Sequence, residues 1–157
     1  MDRLIAVVGG ASATPEETAA AEAVGRGLAA GGAVLVCGGR GGVMEAACRG
    51  AKAAGGLTLG IIPGLDRHQA NAYVDIVLVT GLGEARNAVI ARSAQAMVAI
   101  GGGYGTLSEM AFALCFGVPV IGLGTWTMAR EERGEAPVVH VATAKEAVER
   151  ALALALD

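Results

Sequence analysis

A chain of 157 residues with 54% hydrophobic and 17% charged side chains is long enough to close one core, too short for two ordinary domains, and too apolar for a disordered tail. The net charge of −3 at pH 7 is spread along the sequence without a basic cluster, so the footprint of a nucleic-acid binder is missing. Only 3% of residues are aromatic, and an aliphatic core suits strands covered by helices on both faces.

The first apolar run, Leu4 to Val8, predicts a strand. Met1-Asp2-Arg3 before it and Ala11-Ser12-Ala13 after it give a superficial likeness to a signal peptide. Gly9-Gly10 interrupts that run and Asp2 cancels the leading charge, which favours the strand. A helix follows from Pro15 to Ala30, with Thr14 as its cap, Pro15 at its first position, Glu17 completing a capping box and Gly31-Gly32 closing it. The spacing then predicts a strand at Ala33 to Cys37, a helix at Val43 to Ala54 and a strand at Thr58 to Ile62. A polar loop with Asp66 and His68, placed to lid a site over residues 66–72, leads to a strand at Asp75 to Val79 and a helix at Glu84 to Ser93. A strand at Ala96 to Ile100, a helix at Leu107 to Phe116 and a strand at Val118 to Leu123 come next. Met110 to Ala129 is uncharged and long enough to span a membrane, but Gly117, Pro119, Gly122 and Gly124 divide it into a buried helix and a buried strand. Thr125 to Pro137 reads as a surface excursion before a short strand at Val138 to Val141, where His140 reads as structural. Thr143 and Glu146 start a last helix, from Ala144 to about Ala155.

Strands alternating with helices predict a Rossmann-like, three-layer α/β sandwich with a mostly parallel sheet of six or seven strands, residues 1–157 forming one domain. Neither a membrane nor a nucleic acid is an expected partner. Cys37, Cys48 and Cys115 fall singly in apolar runs and read as small buried hydrophobes in a reducing cytoplasm.

Three strands end in glycine clusters: Gly9-Gly10, Gly38-Gly39-Arg40-Gly41-Gly42, and Gly101-Gly102-Gly103-Tyr104-Gly105-Thr106. In an open parallel sheet ligands bind at the carboxyl ends of strands. Glycines there let backbone N–H groups approach an anion closely, and the next helix adds its positive end. Gly9-Gly10 alone reads as a tight turn, whereas the Gly101 to Thr106 run has more glycines than a turn needs and reads as a phosphate cradle. Gly-Lys-Ser/Thr is absent and the only lysines, Lys52 and Lys145, lie in helices, so a P-loop and a pyridoxal Schiff base are excluded. The dinucleotide pattern is missing after the first strand. No Ser-His-Asp set or metal cluster is visible.

Two ionisable residues adjoin the glycine edge. Thr106-x-x-Glu109 has the spacing of a capping box, and a carboxylate at Glu109 also suits contact with a sugar or a water. Arg86, at the start of a helix where the macrodipole disfavours a cation, asks for an anion, Glu109 or Glu84 as partner.

Gly38 to Ala46, Gly60-Ile61-Ile62-Pro63-Gly64, Thr80 to Asn87 and Gly101 to Glu109, in this order, make the chain resemble the molybdenum-cofactor-carrier-like branch of the LOG superfamily. The superfamily includes the "lonely guy" phosphoribohydrolases, which release a cytokinin base from its riboside 5′-monophosphate and were often mislabelled lysine decarboxylases. Their signature is Pro-Gly-Gly-x-Gly-Thr-x-x-Glu with an upstream Arg-Lys. Gly102, Gly103, Gly105, Thr106, Glu109 and Arg86 match it, whereas Gly101 stands for the proline and Asn87 for the lysine, as in the carrier-like branch. The resemblance implies a cytoplasmic homodimer or homotetramer that binds a phosphorylated small molecule, either the molybdenum cofactor or a nucleoside monophosphate. The implied ligand set is Gly9, Gly39, Gly41, Gly42, Arg86, Asn87, Gly102, Gly103, Tyr104, Gly105, Thr106 and Glu109. Two readings stay open: a carrier that leaves its ligand unchanged, and a phosphoribohydrolase with Arg86 and Glu109 as catalytic residues.

Overall fold

The computed structural model describes residues 3–155, so the leader-like Met1-Asp2 lies outside the described residues. In chain order the elements are β1 (Arg3–Gly9), α1 (Pro15–Ala30), β2 (Ala33–Cys37), α2 (Val43–Ala53), β3 (Thr58–Ile62), β4 (Ile76–Val79), α3 (Arg86–Ser93), β5 (Ala96–Ile100), α4 (Tyr104–Cys115), β6 (Val120–Leu123), the short hairpin strands β7 (Ala129–Arg130) and β8 (Gly134–Glu135), β9 (Val138–Val141) and α5 (Ala144–Leu154). The excursion after β6 therefore carries its own two-stranded ribbon. Seven strands form the main sheet in the order β4-β3-β2-β1-β5-β6-β9, and every pairing in it is parallel.

Alternation along each strand sends residues to opposite faces. Ile5 and Val7 of β1, with Leu35, Val98 and Ile121, pack under α1, α2 and α5 through Val24, Leu28, Ala47 and Ala151. Ala6 and Val8, with Val36, Met97 and Val120, pack under α3 and α4 through Ile90, Ala91, Met110 and Ala113. Both faces of the central strands are thus dry, which explains their unbroken apolar sequence. No helix among the described residues is long and apolar enough to cross a membrane, and the uncharged run from Met110 is indeed α4, a turn and β6. Cys37 and Cys48 are buried as expected, but Cys115, on the last turn of α4, is exposed. His140 points outward from β9 rather than into the core.

The helix starts follow their sequence signals. Thr14 and Glu17 form the complete capping box of α1, and the Thr143 hydroxyl accepts the Glu146 N–H at α5. Helices α1 and α2 meet closely because of two glycines. A Cβ on Gly25 would overlap the Ala47 carbonyl, and one on Gly50 would overlap the Glu22 carbonyl. Arg49 spans the same contact, its Nε donating to Glu22 at 2.9 Å. Gly50→Ala must push the helices apart, and overpacking of this kind costs about 1–3 kcal/mol. Urea unfolding should show that loss in the midpoint with an unchanged slope; a variant as stable as the parent would refute the close approach.

Candidate functional site

Strands β1 and β5 are neighbours, yet β2 and β6 lie on opposite sides of them, so the direction of winding reverses at this point. The crevice at the carboxyl ends of such strands is where an open α/β sheet binds ligands. A cavity of about 410 Å³ occurs there, lined by Gly9, Gly10 and Ala11 after β1, by Arg40 and Met44 after β2, by Glu84, Arg86 and Asn87 at α3, and by Gly103, Gly105, Thr106 and Glu109 at α4.

The glycine run after β5 turns sharply. Gly101 and Gly102 hold φ of +52° and +89°, and a Cβ on Gly102 would overlap the Thr106 hydroxyl. Gly103 is the cap of α4, and the first helical bond runs from the Leu107 N–H to the Gly103 carbonyl at 3.0 Å. The N–H groups of Tyr104, Gly105 and Thr106 therefore precede the helical ladder and sit at its positive end. Helix α4 begins at Tyr104, three residues before the Leu107 start that the spacing predicts. The glycine at 105 costs little in a first turn, and Trp126 fixes the cap by donating its Nε1–H to the Gly103 carbonyl at 3.0 Å. The early start also corrects the capping-box reading. Thr106 and Glu109 lie inside the helix, 3% and 6% exposed, with no cap hydrogen bond from a side chain at the Gly103 end.

The proline of the hydrolase signature could not occupy position 101. Proline fixes φ near −65°, whereas this loop needs +52°. The Glu17 carboxylate also lies where a side chain at 101 would start.

Arg86 is 7% exposed, and its partners are not acidic. Its Nη1 donates to the Gly38 carbonyl at 2.6 Å and to the Ile61 carbonyl, at the ends of β2 and β3. Its Nε donates to Asn87 Oδ1 at 3.0 Å. Asn87 passes the connection on: its Nδ2 donates to Ser108 Oγ at 2.9 Å, and Ser108 Oγ donates to the Gly105 carbonyl at 2.7 Å. A lysine at 87 has no acceptor for Arg86, so the asparagine links α3 to the first turn of α4. Among the described residues neither Arg86 nor Glu109 enters an ion pair, which corrects the expected Glu84 or Glu109 partnership. Burial pulls the guanidinium below its ordinary value, and the nearby Glu109 and Glu84 partly restore it. It remains a cation at neutral pH, with only Nη2 uncommitted.

Burial pushes the Glu109 carboxyl up to about 8, against the opposing pull of Arg86 and with the added repulsion of Glu84. At neutral pH it is mostly protonated, a donor rather than an anion. Arg40 is exposed at the cavity mouth, so the wall presents the cations Arg40 and Arg86 against the anion Glu84. Arg40 is a wall residue absent from the expected ligand set; its place between two glycine pairs at the sheet's carboxyl edge is the one sequence signal for it.

A family model described as the SLOG cluster4 family matches residues 2–149. The chain belongs to the SLOG cluster4 family. It is 44% identical over 119 residues to an uncharacterised protein of Archaeoglobus fulgidus, covering 76% of this chain and 78% of that one. The molybdenum cofactor binding protein of Rippkaea orientalis superposes with a TM-score of 0.86 at 37% identity, over 96% of this chain and 95% of that one. The molybdenum cofactor carrier protein of Chlamydomonas reinhardtii does so with a TM-score of 0.85 at 35% identity, over 98% of each chain. The resemblance to the molybdenum-cofactor-carrier-like branch of the LOG superfamily, and the Rossmann-like fold, therefore hold.

In this SLOG chain the cavity gathers Gly9, Arg86, Asn87, Gly103, Gly105, Thr106 and Glu109 from the sequence-derived set. Gly39, Gly41, Gly42, Gly102 and Tyr104 are off its wall. Gly42 serves the backbone instead: the Val43 N–H beside it donates to the Gly10 carbonyl at 3.0 Å. Residues 66–72 do not reach the cavity wall. Their Asn71 braces the glycine turn, its N–H donating to the Gly39 carbonyl at 2.8 Å and its Nδ2 to the Arg40 carbonyl at 2.8 Å.

The raised Glu109 makes stability depend on pH. Between the usual carboxylate range and about 8, the unfolded chain has released a proton that the folded chain still holds, so stability falls as pH rises through that window. Glu109→Gln removes this term. The variant should gain on the parent by on the order of 3 kcal/mol between pH 5 and 8, with no further gain above. Urea unfolding at several pH values checks this; a constant difference would show that Glu109 titrates normally.

Proposed function

We propose that this protein holds a phosphorylated small molecule, nucleotide-like or a pterin such as the molybdenum cofactor, without transforming it. The observation that carries this reading is the pairing of free helix-end amides at Tyr104, Gly105 and Thr106 with a carboxyl group that is protonated at neutral pH. An ionised Glu109 would repel a phosphate, whereas the acid form donates a hydrogen bond to a hydroxyl or ring nitrogen. Arg40 then neutralises the phosphate from the mouth, and Arg86 offers Nη2 from the floor. The names of the solved relatives from Rippkaea orientalis and Chlamydomonas reinhardtii support a carrier role.

The competing reading is hydrolysis of the N-glycosidic bond of a nucleoside 5′-monophosphate. It is favoured by one feature, the match of Arg86, Gly102, Gly103, Gly105, Thr106 and Glu109 to the phosphoribohydrolase signature. Activating water or stabilising an oxocarbenium-like sugar requires the ionised carboxylate. With its proton held up to about pH 8, Glu109 is in the wrong form for either task at neutral pH.

The protein works as a homodimer or homotetramer in a reducing cytoplasm, as one domain. Support for self-association comes from edge strand β4, whose Ile76, Leu78 and Val79 are 44%, 44% and 45% exposed, an apolar edge of the kind proteins cover.

Calorimetry and product analysis with AMP and a cytokinin riboside 5′-monophosphate test the reading. Binding should occur without release of ribose 5-phosphate, weaken roughly tenfold in Arg40→Ala, and decline above pH 8 in the parent but not in Glu109→Gln. Release of ribose 5-phosphate that vanishes in Glu109→Gln would establish the enzyme instead.

A further inference from the structure

The flank of the glycine loop facing away from Arg86 has a construction of its own. The chain has one tryptophan and two tyrosines, and the fold stacks Trp126 on Tyr104 with ring centroids 5.6 Å apart and planes 28° from parallel. Trp126 is pinned to the loop by its bond to the Gly103 carbonyl. Tyr104 is 81% exposed. Beside them is a second cavity of about 410 Å³, walled by Glu17, Gly101, Gly102, Thr125, Trp126 and Thr127. Apart from Trp126 this wall is small or polar, which suits a planar ring with a hydrogen-bonding edge better than an apolar protein surface.

Glu17 supplies that edge with an acceptor. Its Oε2 accepts the Thr14 N–H at 3.0 Å in the capping box of α1, and its Oε1 lies over Gly101, in the space a side chain there would fill. The Thr125 hydroxyl donates to the Gly101 carbonyl at 2.6 Å and holds the loop in place beneath it. Glycine at 101 therefore does more than permit the turn: it lets a carboxylate stand on the outer side of the phosphate-binding loop, in the wall of the cavity that Trp126 also lines.

We propose that Tyr104 and Trp126 form a stacking platform for the heteroaromatic ring of the phosphorylated ligand, with Glu17 accepting from adjacent N–H donors on the ring edge, as guanine and pterins present them. This rests on the phosphate-binding reading of the glycine loop. The ligand straddles that loop, its phosphate on the helix-end amides and its ring on the outer flank. A carboxylate accepts two parallel N–H bonds from a 2-amino-4-oxo ring and repels rings that offer only acceptors there.

The probes are GMP, which has phosphate and such a ring, and ribose 5-phosphate, which has only the phosphate. Both are titrated by calorimetry, with the fluorescence of Trp126 as reporter. GMP should bind roughly 10- to 100-fold tighter and quench Trp126. Glu17→Gln should cut that advantage roughly tenfold while leaving ribose 5-phosphate unchanged, since Gln keeps the capping box of α1 by accepting the same N–H; Tyr104→Ala should cut the GMP advantage by a similar factor. Equal affinity for the two probes, or an advantage undiminished by either substitution, overturns the ring site and leaves the phosphate reading standing. Failure of both probes to bind overturns the two together.

Discussion

The carboxyl edge of this sheet is organised by one buried guanidinium. Parallel strands end in carbonyls that their neighbours no longer pair, and at β2 and β3 those of Gly38 and Ile61 face inward, where an unmet acceptor costs about 1–3 kcal/mol. Arg86 meets both with one nitrogen and uses another on Asn87. It thereby fixes where β2 gives way to the glycine turn, where β3 ends, and how α3 begins. Through Asn87 and Ser108 the same side chain reaches the first turn of α4, so two of the three glycine clusters are positioned from a single point.

That arrangement shapes the chemistry. A fully available arginine beside Glu109 would hold the carboxylate ionised; one already committed to two carbonyls, with desolvation dominating, leaves the acid protonated. The cavity then has net positive character from Arg40 and Arg86 without a repelling anion at its floor. Such a site favours holding a phosphate over attacking a glycosidic bond. The two departures from the hydrolase signature follow the same logic. Gly101 gives a backbone turn that proline forbids and makes room for Glu17, and Asn87 supplies the acceptor that fixes Arg86.

Much of the fold was legible in the sequence because apolar runs of strand length and intact capping signals are local facts. Thr14 with Glu17, and Thr143 with Glu146, capped the helices that their spacing indicated. The switch point was marked in advance by glycines after β1, β2 and β5. The misreadings share a physical cause, which is that spacing does not report depth. Thr106-x-x-Glu109 has capping-box spacing, yet Gly103 takes the cap and buries both residues one turn further in. The partners of Arg86 are backbone carbonyls 48 and 25 positions away, which no side-chain pattern encodes. The Tyr104–Trp126 stack was hidden similarly, since only the path of the chain after β6 brings Trp126 back to the loop.

The organising role of Arg86 is tested most directly by hydrogen–deuterium exchange on Arg86→Met, which keeps the apolar stem and removes the donors. Protection should be lost at Gly39–Val43, at the end of β3 and at the start of α3, with the amides of β1 and β5 as protected as in the parent. Unchanged protection around Gly38 and Ile61 would contradict it.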